Sequence, residues 1–203
     1  MPMDEVQLRP ASAQDCDFLY QLHKATMQTY VAQTWGWDEE WQQAYFRQHF
    51  DPSVDQIVVF AGKDIGVLSV DKREREVRVA KIEILPEYQK QGIGTGLIDA
   101  VLEGAFREGL PVTLQVLKAN PRIGWYERLG FRVVGETQTH YLMVAMPFNA
   151  GPPSRGASRQ GGCARRIAAR DFANRANRSR IPRHEQQPNA ALAQSAERAL
   201  RKR

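Results

Sequence analysis

The chain has 203 residues, 42% of them hydrophobic, with 28 Lys and Arg against 23 Asp and Glu for a net charge of +5. That length suits one domain plus an extension, and the apolar content suffices for a core in the larger part of it. The longest apolar runs, such as residues 57–61, fall far short of a bilayer span and the acidic start is unlike a signal peptide, so a transmembrane helix is excluded and a cytoplasmic location is expected.

Residues 6–9 alternate as a strand does. Ser12 and Asp15 form a capping arrangement ahead of Phe18, Leu19, Leu22, Ala25 and Met27, which predicts a helix over about residues 13–30. After Trp35-Gly36-Trp37 a second helix is predicted from Asp38, its acidic first turn complementing the helix dipole and its Trp41, Ala44, Tyr45 and Phe46 at helical spacing. Residues 56–61 and 65–70 are β-branched runs separated by Gly62-Lys63-Asp64, a hairpin signal. A third strand follows over about residues 77–85, beyond a wholly charged tip at 71–76, and Pro86 ends it. Leu97, Ile98, Val101, Leu102 and Ala105 share one face of a helix that stops near Gly109. A buried strand at 112–117, a short helix opening at Asn120-Pro121 and closing at Gly130, and strands at 131–134 and 141–146 complete the domain. The order β-α-α-β-β-β-α-β-α-β-β predicts an α/β fold with a mixed sheet and helices on both sides.

Beyond this domain, residues 149–203 hold twelve Arg and one Lys against Asp171, Glu185 and Glu197, a net of +10 that leaves residues 1–148 at −5. An acidic domain over residues 4–148 carries a basic tail. The tail has few apolar anchors beyond Ile167, Phe172 and Ile181, too few to offset the entropy of ordering, so disorder is expected. Its charge suits weak, nonspecific attraction to nucleic acid; the alternative is a dispensable segment. Cys16 and Cys163 fall in unlike regions without metal-ligand spacing, and no metal is expected.

The junction of third strand and third helix carries the chemistry. Glycines at 92, 94 and 96 let backbone N–H groups approach an anion, and the helix opening there adds the positive end of its dipole. An ATPase phosphate loop needs Lys and then Ser or Thr after its last glycine, whereas Gly96 is followed by Leu97. A dinucleotide-binding turn counted from Gly92 and Gly94 needs a small residue where Leu97 stands.

What remains is Gln89-x-x-Gly92-x-Gly94 after an apolar strand, which resembles the coenzyme A pyrophosphate loop of the GNAT superfamily of N-acetyltransferases. A second segment, Asn120-Pro121-Arg122-Ile123-Gly124-Trp125-Tyr126-Glu127-Arg128-Leu129-Gly130-Phe131, resembles that family's Asn-x-x-Ala-x-x-x-Tyr-Glu-x-x-Gly-Phe pattern, with Gly124 in place of or beside the usual small residue. The predicted element order is also that of the GNAT fold, and the resemblance covers about residues 4–148.

The resemblance implies transfer of an acetyl group from acetyl-CoA to a primary amine, a small cationic amine or a protein amino group, by direct attack without a covalent enzyme intermediate. An alkyl ammonium with a pKa near ~10 must first lose a proton. Glu83 is the candidate to collect it, if its alternation with Ile82 and Ile84 turns it inward, and Glu76 is the reserve. The Ile84 N–H matches the family position that polarises the thioester carbonyl, Tyr126 the tyrosine that protonates the departing thiolate, and Asn120 a contact to the pantetheine arm. The pyrophosphate falls to Gln89, Lys90, Gln91, Gly92, Ile93, Gly94, Thr95 and Gly96, mostly through backbone amides, with the Lys90 side chain as an added contact.

Acceptor recognition is expected among Tyr30, Trp35, Trp37, Asp38 and Glu39, where aromatic faces beside carboxylates suit a cation, with His140 as a further lining residue. Against that, the two tryptophans could simply pin the early helices together. Two other classes stay open: a coenzyme A-binding sensor without turnover, and a domain localised by a nucleic-acid-binding tail. A homodimer is compatible with each.

Overall fold

A computed structural model describes residues 6–147. The basic tail from residue 149, with its expected disorder and nucleic-acid contact, lies outside the described residues, as does Cys163.

The elements follow the predicted order: β1 (Val6–Pro10), α1 (Cys16–Trp35), α2 (Glu39–His49), β2 (Asp55–Phe60), β3 (Lys63–Lys72), β4 (Val77–Ile84), α3 (Ile93–Arg107), β5 (Val112–Leu117), α4 (Ile123–Arg128), β6 (Arg132–Glu136) and β7 (His140–Ala145). The strands hydrogen-bond in the order β1-β2-β3-β4-β5-β7-β6. The sheet is mixed: β4 runs parallel to β5, with Val77 opposite Val112 and Arg78 opposite Thr113, while β1–β2, β5–β7 and β6–β7 are antiparallel.

Several boundaries differ from the sequence-based expectation for local reasons. Helix α1 continues five residues past Tyr30 because Val31 is buried, and it stops at Gly36, whose φ of 85° and N–H bond to the Ala32 carbonyl make a glycine C-cap. The β2–β3 turn is Ala61-Gly62, both at positive φ as a two-residue hairpin turn of the primed type requires, so β3 starts at Lys63. Helix α4 opens at Ile123 rather than at Pro121, because the Asn120 side chain accepts the Arg122 N–H at 3.0 Å and makes an Asx turn first.

The described residues form two compact bodies, 6–68 with 83–89 and 69–82 with 90–147. In the first, Leu19 and Leu22 of α1 pack on Ile57 and Val67, with Phe18, Phe46, Phe50, Val59 and Leu85 around them. The start of α1 is tied down electrostatically: Arg9 bonds Asp15 at 2.7 Å and Asp64 at 2.6 Å, and Asp15 also accepts from the Ser12 N–H and hydroxyl at 2.7 and 2.9 Å. In the second body, α3 buries Ile93, Leu97, Ile98, Leu102 and Ala105, the periodic face read from the sequence. Val112, Leu114 and Val116 of β5 are buried in strict alternation.

Candidate active site

In the first body, β4 and α1 bring three polar side chains together. Glu83 Oε1 lies 3.0 Å from His23 Nδ1, and Glu83 Oε2 lies 2.9 Å from the Thr26 hydroxyl. His23 and Thr26 are one helical turn apart on α1, so both point from the same face. The Glu83 side chain is only 10% exposed, against 29% for His23. Glu83 is therefore turned inward and gripped. Gly66 on β3 makes the close approach to β4 feasible, since a Cβ there would fall 2.4 Å from the Glu83 carbonyl oxygen and 2.7 Å from Ile84 Cδ1. The reserve residue, Glu76, belongs to the second body, where it accepts from the Thr113 hydroxyl and pairs with Arg73, both at 3.2 Å.

Immediately after Glu83 the backbone changes partners. The Leu85 N–H donates to the Ile65 carbonyl at 2.8 Å, so the preceding N–H, that of Ile84, points away from β3. The Gln89 side-chain amide donates to the Ile84 carbonyl at 2.8 Å. Gln89 thus braces the strand end with its side chain.

The residues expected to recognise the acceptor are largely engaged in local structure. Asp38 is the N-cap of α2 and accepts the Trp41 N–H at 2.9 Å. Glu39 accepts from Tyr20 at 3.0 Å, Lys24 at 2.8 Å and Trp37 at 2.9 Å, and the Lys24 bond leads the effects that lower its pKa. Burial and the bond to Glu39 push the Tyr20 hydroxyl up to about 12. The tie between α1 and α2 here runs from Tyr20 and Lys24 to Glu39, while Trp37 bonds Glu39 from two residues away. Tyr30 and Trp35 are half-buried on α1. His140, in the second body, is 4% exposed, and burial lowers its pKa. Its Nδ1 sits 2.9 Å from the Thr139 hydroxyl, and its backbone N–H donates to the Thr137 hydroxyl. It is packed at the start of β7.

In the second body, the glycine turn and α4 meet. Lys90 and Gly92 both have positive φ, 62° and 85°, and Gly92 is the N-cap of α3. The first intrahelical bond runs from the Gly96 N–H to the Gly92 carbonyl at 2.9 Å, so the N–H groups of Ile93, Gly94 and Thr95 precede the helical ladder. A Cβ at Gly94 would sit 3.6 and 3.7 Å from the Trp125 ring, and Trp125 Nε1 donates to the Thr95 hydroxyl at 3.2 Å. Tyr126 lies between Trp125 and Phe131, with ring centroids 4.7 and 5.9 Å away. Asn120 spends its side-chain oxygen on the Asx turn, leaving its amide NH2 as the group for a ligand. A positive helix end with unladdered N–H groups, opened by residues in left-handed conformation, fits a diphosphate.

The sequence model of the acetyltransferase (GNAT) family matches residues 17–131. The chain belongs to that family. Solved structures with the same fold include the PaiA N-acetyltransferase of Thermoplasma acidophilum in complex with coenzyme A, 16% identical over 70% of this chain and 98% of that one, with a TM-score of 0.58. An acetyltransferase of Thermus thermophilus is 16% identical over 72% and 99%, with a TM-score of 0.56. An N-acetyltransferase of Staphylococcus aureus is 11% identical over 68% and 100%, with a TM-score of 0.54. A search of curated proteins finds no match.

In this GNAT acetyltransferase the sequence reading missed His23 and Thr26. Neither belongs to a motif, and their contact to Glu83 spans 60 and 57 residues. Among the described residues there is no group of three His, Cys, Asp or Glu side chains that could hold a metal ion, and no helix is long and apolar enough to cross a membrane.

Proposed function

We propose that this GNAT acetyltransferase moves the acetyl group of acetyl-CoA onto a primary amine, a small cationic amine or a protein amino group, by direct attack. The observation that carries this reading is the inward carboxylate of Glu83, held by His23 and Thr26 one residue before the Ile84 N–H.

Acetyl-CoA supplies an activated thioester. The N–H groups ahead of the helical ladder, those of Ile93, Gly94 and Thr95, and the positive end of α3 hold its diphosphate, with Lys90 adding charge and Asn120 bonding the pantetheine arm through its amide. The Ile84 N–H, aimed away from β3, stabilises negative charge as it develops on the carbonyl oxygen. The Glu83 cluster takes the proton the ammonium must lose, and the Tyr126 hydroxyl returns a proton to the thiolate, each worth about 10²–10⁴-fold in general acid–base catalysis.

The test is a panel of alkyl diamines, amino acids and peptides with free amino termini, mixed with the protein and acetyl-CoA, with free thiol followed over time. Amine-dependent thiol release is expected for at least one class. Release no faster than without amine, across the panel, would contradict the reading.

A further inference from the structure

We propose that the base in this site is the His23 imidazole, acting through Nε2, and that Glu83 is its positioning residue rather than the proton acceptor. This rests on the transferase reading above and reassigns the proton within it.

The hydrogen between Glu83 and His23 belongs to the imidazole. An ionised carboxylate only accepts, so the 3.0 Å contact between Glu83 Oε1 and His23 Nδ1 places the hydrogen on Nδ1. A neutral imidazole with Nδ1–H has its lone pair on Nε2. Glu83 Oε1 is engaged by His23, Oε2 is within bonding distance of Thr26, and the side chain is 10% exposed. His23 is 29% exposed, so its ring is the more accessible partner. A carboxylate that fixes a tautomer and stabilises the resulting imidazolium is an arrangement known from hydrolytic triads. An imidazole also changes charge between about pH 5 and 8, closer to neutral working conditions than a carboxylate.

The His23 imidazole has neighbours on two elements. Glu83 faces it from β4 and the Phe46 ring from α2, with ring centroids 6.1 Å apart. Beyond Phe46, Tyr20 is bonded to Glu39, which is paired with Lys24.

The protons balance as follows. The acceptor ammonium gives one proton to Nε2, forming an imidazolium beside the Glu83 carboxylate, and Nε2 later releases it to water. The neutral amine forms the C–N bond as the C–S bond breaks. The second proton lost from nitrogen equals the one the thiolate takes up, so the net products are the amide, the free thiol and one proton.

Two measurements on the full chain decide it. Imidazole ¹⁵N NMR reads the tautomer without turnover: His23 should show Nδ1–H with an unprotonated Nε2 at high pH, and Glu83→Gln should lose that preference. In pH profiles of kcat/KM, wild type should lose activity as the imidazole protonates on acidification. His23→Gln should be slower by about 10²-fold or more at neutral pH. It should lack the imidazole limb and climb toward the amine's own pKa near ~10, as the free base becomes available. A His23→Gln variant within about threefold of wild type and with an unchanged profile would overturn the proposal, as would an Nε2–H tautomer in wild type. Absence of product from wild type alongside the expected tautomer would instead mark failure of the transferase reading.

Discussion

His23 and Glu83 lie 60 residues apart in the chain and 3.0 Å apart through Nδ1 and Oε1. The pairing is set by two rigid elements, α1 and β4, rather than by a loop, and rigid elements hold a catalytic geometry more tightly. Gly66 of β3 runs close beside it, and a Cβ there would fall 2.4 Å from the Glu83 carbonyl oxygen.

Gly66→Ala should therefore damage both stability and turnover. The added methyl has backbone, not a flexible side chain, 2.4 Å away, so β4 must shift at Glu83. Overpacking of this kind costs about 1–3 kcal/mol. Thermal melts should show that loss, and kcat/KM should fall further than the melt explains.

Tyr126→Phe separates chemistry from packing. Phenylalanine keeps the ring contacts to Trp125 and Phe131 and removes only the hydroxyl. Turnover should drop by about 10²-fold or more while coenzyme A affinity, measured by calorimetry, stays near wild type. If affinity falls in parallel, the ring and its partners matter and the hydroxyl does not.

Gly92→Ala tests the turn. An L-residue at φ 85° costs about 1–2 kcal/mol, although nothing lies within 4 Å of the added methyl. Strain relieved by opening the turn should raise the coenzyme A Kd, by up to about tenfold for each 1.4 kcal/mol. Gly104→Ala, mid-helix in α3 with equally open space, should leave that Kd unchanged.

The Arg9–Asp15 pair predicts an acid response. Arg9 holds the Asp15 carboxyl well below the usual carboxylate range, so the folded state binds its proton less readily than the unfolded state. The stabilisation is complete above about pH 4, where an unfolded aspartate is ionised, and is lost as the pH falls through the lowered folded value. Asp15→Asn should cost about 1.5–3 kcal/mol at pH 7, the worth of a hydrogen bond to a charged group, and should flatten this part of the acid-unfolding profile.

Much of this was legible in the sequence because it is local. The glycine turn, the Asn120 to Phe131 segment and the buried face of α3 are patterns within one or two turns of chain. The ends of elements were less so: Gly36 looked like part of a linker between two tryptophans, yet it is the cap that ends α1. Gly62 marked the hairpin, but nothing in Ala61 showed that the turn begins there at positive φ. For Asp38 and Glu39 the sequence shows charge alone; the structure adds that Asp38 caps α2 and that Glu39 accepts from Tyr20, Lys24 and Trp37. The contact of His23 with Glu83 left no trace, since no period or spacing links residues so far apart.

The most direct test counts products. Wild-type protein with acetyl-CoA and a responsive amine should yield one acetylated amine, identified by mass spectrometry, for each free thiol released. Thiol without acetylated amine would make the protein a thioesterase, and coenzyme binding with neither product would make it a sensor; either result contradicts acetyl transfer to an amine.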